Sequence, residues 1–125
     1  MNVPVVKEWI DNLRSGKYQQ GTGYLRTDGG PYADQFCCLG VLCDMYDKSK
    51  WRNGGAASKE GTGVMSYIDG TLVSLEMPPP SVLEWAGVPG GLASDLAECN
   101  DSGETFAELA DMIEVQLKKQ PPLED

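Results

Sequence analysis

The densest apolar run in the chain is Phe36-Cys37-Cys38-Leu39-Gly40-Val41-Leu42-Cys43-Asp44-Met45-Tyr46. Leu39, Leu42, Cys43 and Tyr46 recur at i, i+3, i+4 and i+7, one face of a helix. Cys38, Val41 and Met45 fill the adjacent face, and Asp44 is the first polar residue. A helix apolar nearly all round is covered on several sides, so the pattern predicts a central helix. Gly40 costs such a helix about 1 kcal/mol relative to Ala. A glycine kept there predicts the close approach of another backbone.

The same spacing recurs on either side. Val6, Trp9, Ile10 and Leu13 form the stripe of an N-terminal helix. Pro4 suits its first turn and Gly16 its left-handed end. Tyr24-Leu25-Arg26 reads as a short strand, Asp28-Gly29-Gly30-Pro31 as a turn, and Tyr32 to Phe36 as the returning strand. Residues 49–63 are polar and glycine-rich with no apolar period, which predicts an exposed loop. Val64 to Leu75 holds two β-prone runs around Asp69-Gly70, a type I′ hairpin signal. Met77-Pro78-Pro79-Pro80 stops it.

Ser81 to Glu84 reads as a capping box opening a short helix that Gly87 ends. Pro89-Gly90-Gly91 reads as a turn and Leu92 to Glu98 as one or two helical turns. Residues 99–104 read as a loop. Thr105 to Glu108 forms a second capping box, and the helix behind it buries Phe106, Leu109, Ala110, Ile113 and Leu117. Pro121-Pro122 ends that helix. These readings predict an α+β fold: three or four helices packed on small antiparallel β-hairpins, in a single globular domain over 1–119 with a loose tail over 120–125.

Composition changes the picture in three places. The chain has 125 residues, 41% hydrophobic and 23% charged, enough for one core. Net charge is −9, unevenly placed. Residues 1–52 hold seven Lys/Arg against six Asp/Glu, and residues 53–125 hold three against thirteen. Such acidity argues against a long nucleic acid partner, whose affinity comes from neutralised phosphates. It permits a small anion in the balanced half. No apolar run approaches the roughly 18 residues of a membrane span. Lys7, Glu8 and Asp11 interrupt the one candidate leader, so no membrane role and a cytoplasmic location are expected.

There is no histidine. This removes Ser-His-Asp and Cys-His catalysis and every mixed Cys/His zinc site. The four cysteines contain no Cys-x-x-Cys knuckle, and adjacent Cys37 and Cys38 diverge by about 100° on a helix. They read as buried thiols, with no metal and no cofactor.

Two polar stretches remain as candidate binding sites. Lys17, Tyr18, Gln20, Thr22, Tyr24 and Arg26 put cations, rings and amides close together, a mixture that suits a nucleotide-sized anion. The Ser-Gly-Lys and Gly-x-Gly strings there are no phosphate loop, since no Gly-Lys-Ser/Thr opens a helix. Asn100, Asp101 and Ser102 precede the last helix, where exposed amides can meet an anion. Asp101 as a general base has no identifiable partner.

Three strings carry a resemblance: Trp9…Leu13-Arg14-Ser15-Gly16-Lys17-Tyr18, then Gly23-Tyr24-Leu25-Arg26, then Cys37-Cys38-Leu39-Gly40-Val41-Leu42-Cys43-Asp44. A fourth runs from Asn100 through Phe106-Ala107-Glu108 to Asp111. Together they resemble a family of small uncharacterised proteins encoded by bacteriophages and bacterial genomes. The resemblance implies a phage or prophage origin, hence a host cytoplasm. The expectation is a non-enzymatic binder of a small anionic, nucleotide-type ligand, one that sequesters a host defence signal. The alternative is an acidic inhibitor docking on a basic host protein through Glu108, Asp111 and Glu114. The sequence has no coiled-coil seam, and homo-oligomer formation is left open.

Overall fold

The computed structural model describes residues 1–29, 33–57 and 63–119. Helix α1 spans Val3–Arg14 with its proline in the first turn, and buries Val6, Trp9, Ile10 and Leu13. Gly16 follows at φ +80°, the left-handed position expected of it. Helix α2 spans Cys38–Tyr46, and its residues from Cys38 to Asp44 are all buried. The reason for Gly40 is visible. A β-carbon there would lie 1.8 Å from the carbonyl oxygen of Leu25. Cys37 caps the helix, its Sγ accepting from Gly40 N at 3.3 Å.

The described residues hold six strands: β1 (Gln19–Gln20), β2 (Arg26–Thr27), β3 (Gln35–Phe36), β4 (Trp51–Ala57), β5 (Gly63–Asp69) and β6 (Leu72–Ser74). The expected hairpins are present, but they merge into one sheet of order β1-β3-β2-β5-β4, with β6 also on β5. β2 and β3 pair antiparallel, Arg26 opposite Phe36. β1 joins β3 in parallel, with Gln20 opposite Phe36.

The loop expected over 49–63 is corrected over 49–57 and at 63. A 3₁₀ turn covers Lys48–Lys50, and β4 then pairs antiparallel with β5, Trp51 opposite Tyr67 and Arg52 opposite Ser66. Trp51 supplies the cause. It is 7% exposed and its ring meets that of Tyr67 edge-on at 4.8 Å. One buried aromatic contact and a paired partner strand outweigh a composition poor in β-formers. The β5–β6 turn also differs from the type I′ expectation. Asp69 pairs with Leu72, so Gly70 and Thr71 are the central residues. Positive φ occurs at Gly70 alone of the two, +63°, the sign pattern of a type II′ turn.

Three helices follow: α3 (Pro80–Ala86), α4 (Gly90–Asp101) and α5 (Phe106–Lys119). Five α-helices thus stand among the described residues, where three or four were expected. The box expected at Ser81 does not form. Pro79 occupies the N-cap without a side-chain bond, and Ser81 Oγ donates to Asp69 instead. The turn at 89–91 and the loop at 99–104 are also corrected, because α4 takes in Gly90 and Gly91 at one end and Cys99, Asn100 and Asp101 at the other. The box at Thr105 forms as expected. Glu108 N donates to Thr105 Oγ1 at 3.2 Å and Thr105 N to Glu108 Oε1 at 3.1 Å.

Helix α5 buries Phe106, Leu109, Ala110 and Ile113, and packs on α1. Arg14 joins them through Asp111 at 2.7 Å and Glu114 at 3.3 Å. The fold is α+β, and one hydrophobic cluster runs from Val6 to Ile113. The turn residues Gly30 and Pro31, Tyr32 at the start of the expected returning strand, residues 58–62 of the expected loop and the tail 120–125 lie outside the described residues.

Gly40→Ala is expected to lower stability by about 3 kcal/mol, since backbone, not a flexible side chain, fills the space. Gly91→Ala, inside α4 with nothing within 4 Å of its added carbon, is expected to be neutral or to stabilise by up to about 1 kcal/mol. Urea unfolding midpoints of the two variants check the contrast.

Candidate functional site

An open cleft of about 830 Å³ lies between α1, the end of α2 and the 3₁₀ turn. Lys17 and Tyr18 enter it from the chain leaving α1. Its floor is the carboxylate of Asp44, the last buried residue of α2, only 6% exposed. Three donors hold that carboxylate. Tyr18 Oη donates at 2.7 Å and Trp51 Nε1 at 3.1 Å. Lys48 Nζ, one turn further along, closes an ion pair at 2.5 Å. A buried charge is tolerable only when paired and hydrogen-bonded, and here both conditions hold.

The titration behaviour follows. Burial by itself would push the Asp44 carboxyl up, but hydrogen bonds from Lys48, Tyr18 and Trp51 and the Lys48 charge more than offset it, and the carboxyl is held below its usual value. Tyr18 moves the other way, raised first by burial and then by its bond to Asp44. It stays a phenol whose proton is committed to the carboxylate. Its oxygen keeps a lone pair for the cleft.

Behind the floor lies an aromatic file. Phe36 meets Tyr18 edge-on at 5.0 Å and Trp51 at 6.0 Å. The Arg26 guanidinium lies 4.8 Å from the Phe36 centroid and 5.3 Å from that of Trp51, within cation–π range. Its Nε donates to Asp34 Oδ2 at 2.8 Å. Tyr18 and Arg26 are therefore neighbours through one ring, but Arg26 is already paired while Lys17 is exposed. Among the described residues Lys17 makes no ion pair.

The remaining expected site residues separate. Gln20 is fully engaged, donating to Asn100 Oδ1 at 3.1 Å and Glu104 O at 2.6 Å and accepting from Phe106 N at 3.0 Å. Asn100 is 0% exposed. Its Oδ1 also accepts from Cys38 N at 3.3 Å, and its Nδ2 donates to Gly21 O at 2.9 Å. The amides expected to face a ligand there are inside α4 and spent on the fold. Asp101 Oδ1 accepts from Gly23 N at 2.8 Å, and Ser102 Oγ donates to Glu98 O at 2.9 Å. Tyr24 and Asp101 line a separate cavity of about 120 Å³. Thr22 is exposed.

Sequence reading missed Asp44, Lys48, Trp51, Phe36 and Asp34. One signal was available: Asp44 and Lys48 stand at i and i+4, a helical ion-pair spacing. Nothing local announced Trp51, isolated in a polar stretch. Cys37, Cys38 and Cys43 are buried. Burial pushes the Cys37 thiol up to about 11 and the other two well above their usual value. Among the described residues no group of three or more His, Cys, Asp or Glu could hold a metal ion. No helix among them is long and apolar enough to cross a membrane.

Asp44→Asn is expected to cost about 2 kcal/mol at neutral pH, because a charged acceptor with three donors is lost. A carboxyl depressed in the folded state stabilises above its unfolded value, 3.8, and that contribution fades as pH falls through the folded value. The gap between wild type and variant should therefore narrow below pH 4. Denaturant titrations across the acid range check both statements.

Comparison with known proteins adds one assignment. No curated protein and no solved structure matches the chain. A family model described as "Domain of unknown function (DUF8296)" matches residues 1–117, nearly the whole chain, and the protein belongs to that family.

Proposed function

We propose that this protein is a non-catalytic binder of a small anionic ligand, of nucleotide type, in the cleft floored by Asp44. The reading includes a phage or prophage origin and action in the host cytoplasm, where holding such a molecule blunts a defence signal. The observation that carries it is the cleft itself. Its volume, about 830 Å³, lies within the roughly 300–1,000 Å³ usual for small-molecule sites. Lys17 and Lys48 stand at its rim with donors to spare, since only one Lys48 proton is committed to Asp44. Both are exposed, and Tyr18, which lines the same cleft, is fixed at its hydroxyl. The candidate residues Lys17 and Tyr18 keep their place in this reading. Arg26 supports it from behind, and Gln20 and Asn100 belong to the scaffold. Thr22, Tyr24, Asp101 and Ser102 lie outside it.

The alternative, an acidic surface docking on a basic host protein, takes a different form from the one expected. Asp111 and Glu114 are engaged by Arg14, and Glu108 closes the capping box of α5. Exposed Asp95 and Glu98 on α4 make no ion pair among the described residues, and they offer one surface for such docking.

The test is to purify the protein from expressing cells, denature it, identify released small molecules, and titrate the protein with cyclic and linear nucleotides. A bound nucleotide and a thermal shift are expected. Lys17→Ala should weaken binding by about tenfold, one charge-assisted hydrogen bond. No released molecule and no shift with any nucleotide would overturn the reading.

A further inference from the structure

The cleft is not a simple anion hole. Its charged lining is two ammonium groups, Lys17 and Lys48, against three carboxylates, Glu8, Asp44 and Asp47. Asp44 is consumed by its three donors. Asp47 Oδ1 accepts from Ser49 N and Oγ at 2.9 and 2.6 Å. Glu8 is exposed, and among the described residues its carboxylate has no hydrogen-bond or ion-pair partner. It stands one helical turn before Asn12 on the same face of α1, and its charge reaches the Tyr18 hydroxyl. Asn12 lines the cleft as well, and its side chain makes no hydrogen bond among the described residues.

An ionised carboxylate only accepts hydrogen bonds. Against a bare phosphate or a polyphosphate, Glu8 would repel. Against a ligand that offers hydroxyl donors, it attracts. Two ammonium groups are enough to match one phosphate, and the carboxylates beside them oppose further negative charge. Resting on the small-ligand reading above, we infer that the occupant is a ribose carrying a single phosphate. The phosphate sits between Lys17 and Lys48, and the sugar hydroxyls sit on Glu8. A carboxylate that accepts from a ribose 2′-hydroxyl is a recurrent way of reading that sugar. Asn12, with donors and an acceptor both unspent, serves the remaining polar edge. Glu8 is then the residue that sets specificity for the sugar, and the lysines set affinity.

The experiment is calorimetric titration of the wild type, Glu8→Gln and Lys17→Ala with AMP, GMP, ribose 5-phosphate, 2′-deoxy-AMP, 2′-deoxy-GMP, ATP and inorganic phosphate. Circular dichroism confirms that each variant is folded; both positions are exposed. At least one ribonucleotide monophosphate should bind about tenfold tighter than its 2′-deoxy form, the effect of one hydrogen bond to a charged acceptor. Glu8→Gln should bring the two within about twofold, and Lys17→Ala should weaken both alike. ATP should bind no tighter than AMP, and phosphate alone should bind weakest. Ribose 5-phosphate binding as tightly as AMP supports the inference and takes the base out of recognition.

Equal binding of ribose and deoxyribose forms, a preference that survives Glu8→Gln, or ATP favoured over AMP overturns this inference while the small-ligand reading stands. Binding by none of these compounds, with a different small molecule released from the purified protein, also overturns the inference alone. No binding and no released molecule overturns both.

Discussion

The carbonyl oxygen of Leu25 sits where a β-carbon on residue 40 would have to be, 1.8 Å away. This backbone-on-backbone contact lets α2 sink beneath the sheet. Everything else then arranges itself around a helix buried from Cys38 to Asp44. Trp9 Nε1 donates to Cys38 O at 2.9 Å, and Cys37 N donates to Leu25 O at 3.2 Å. Tyr67 Oη lies 2.9 Å from Cys43 O and 3.0 Å from Asp47 O, so its one proton serves that end of the helix. Elements far apart in the chain thus reach α2 by polar bonds as well as by packing. A buried helix has N–H groups at its start that solvent cannot satisfy, and Cys37, Cys38 and Gly40 N donate to Leu25 O, Asn100 Oδ1 and Cys37 Sγ.

Asp44 carries the same logic to the surface. A carboxylate at the end of an apolar helix is costly to bury unless donors surround it. Its three donors come from the chain after α1, from the 3₁₀ turn and from β4. One carboxylate therefore ties three segments at the floor of the cleft, and the cleft's shape depends on its charge. Lys48 is exposed although its ammonium is paired. Floor and rim are thereby built from one ion pair, rigid below and solvated above.

The charge asymmetry of the chain reads differently once the helices are packed. The acids of α5 nearest α1 are used within the molecule, because Arg14 reaches across to two of them. Exposed ion pairs of this kind contribute little to stability one by one. Their effect here is to neutralise one acidic face, while the acids of α4 stay without cations among the described residues. Net charge located by sequence half is thus a poor guide to where a charged surface stands.

Local order was legible in the residues themselves. The stripes of α1 and α5, the apolar girth of α2, the left-handed Gly16 and Gly87, and the Thr105 box each depend on neighbours within a few positions. Even the Leu25 contact could be anticipated, since a glycine within a good helix implies a close neighbour, although the sequence could not say which. Strand β4, the role of Asn100 and the site were decided by tertiary structure. Trp51 becomes strand because Tyr67 lies opposite it. Asn100 looks like a loop residue until its partners arrive from positions 62 to 80 residues away. Of the polar patch, only Lys17 and Tyr18 face the cleft, and the carboxylate that organises it was hidden in the core helix. Periodicity encodes which face of an element is buried. It cannot encode what is buried against it, because a hydrogen bond between distant segments leaves no mark in the spacing of either one.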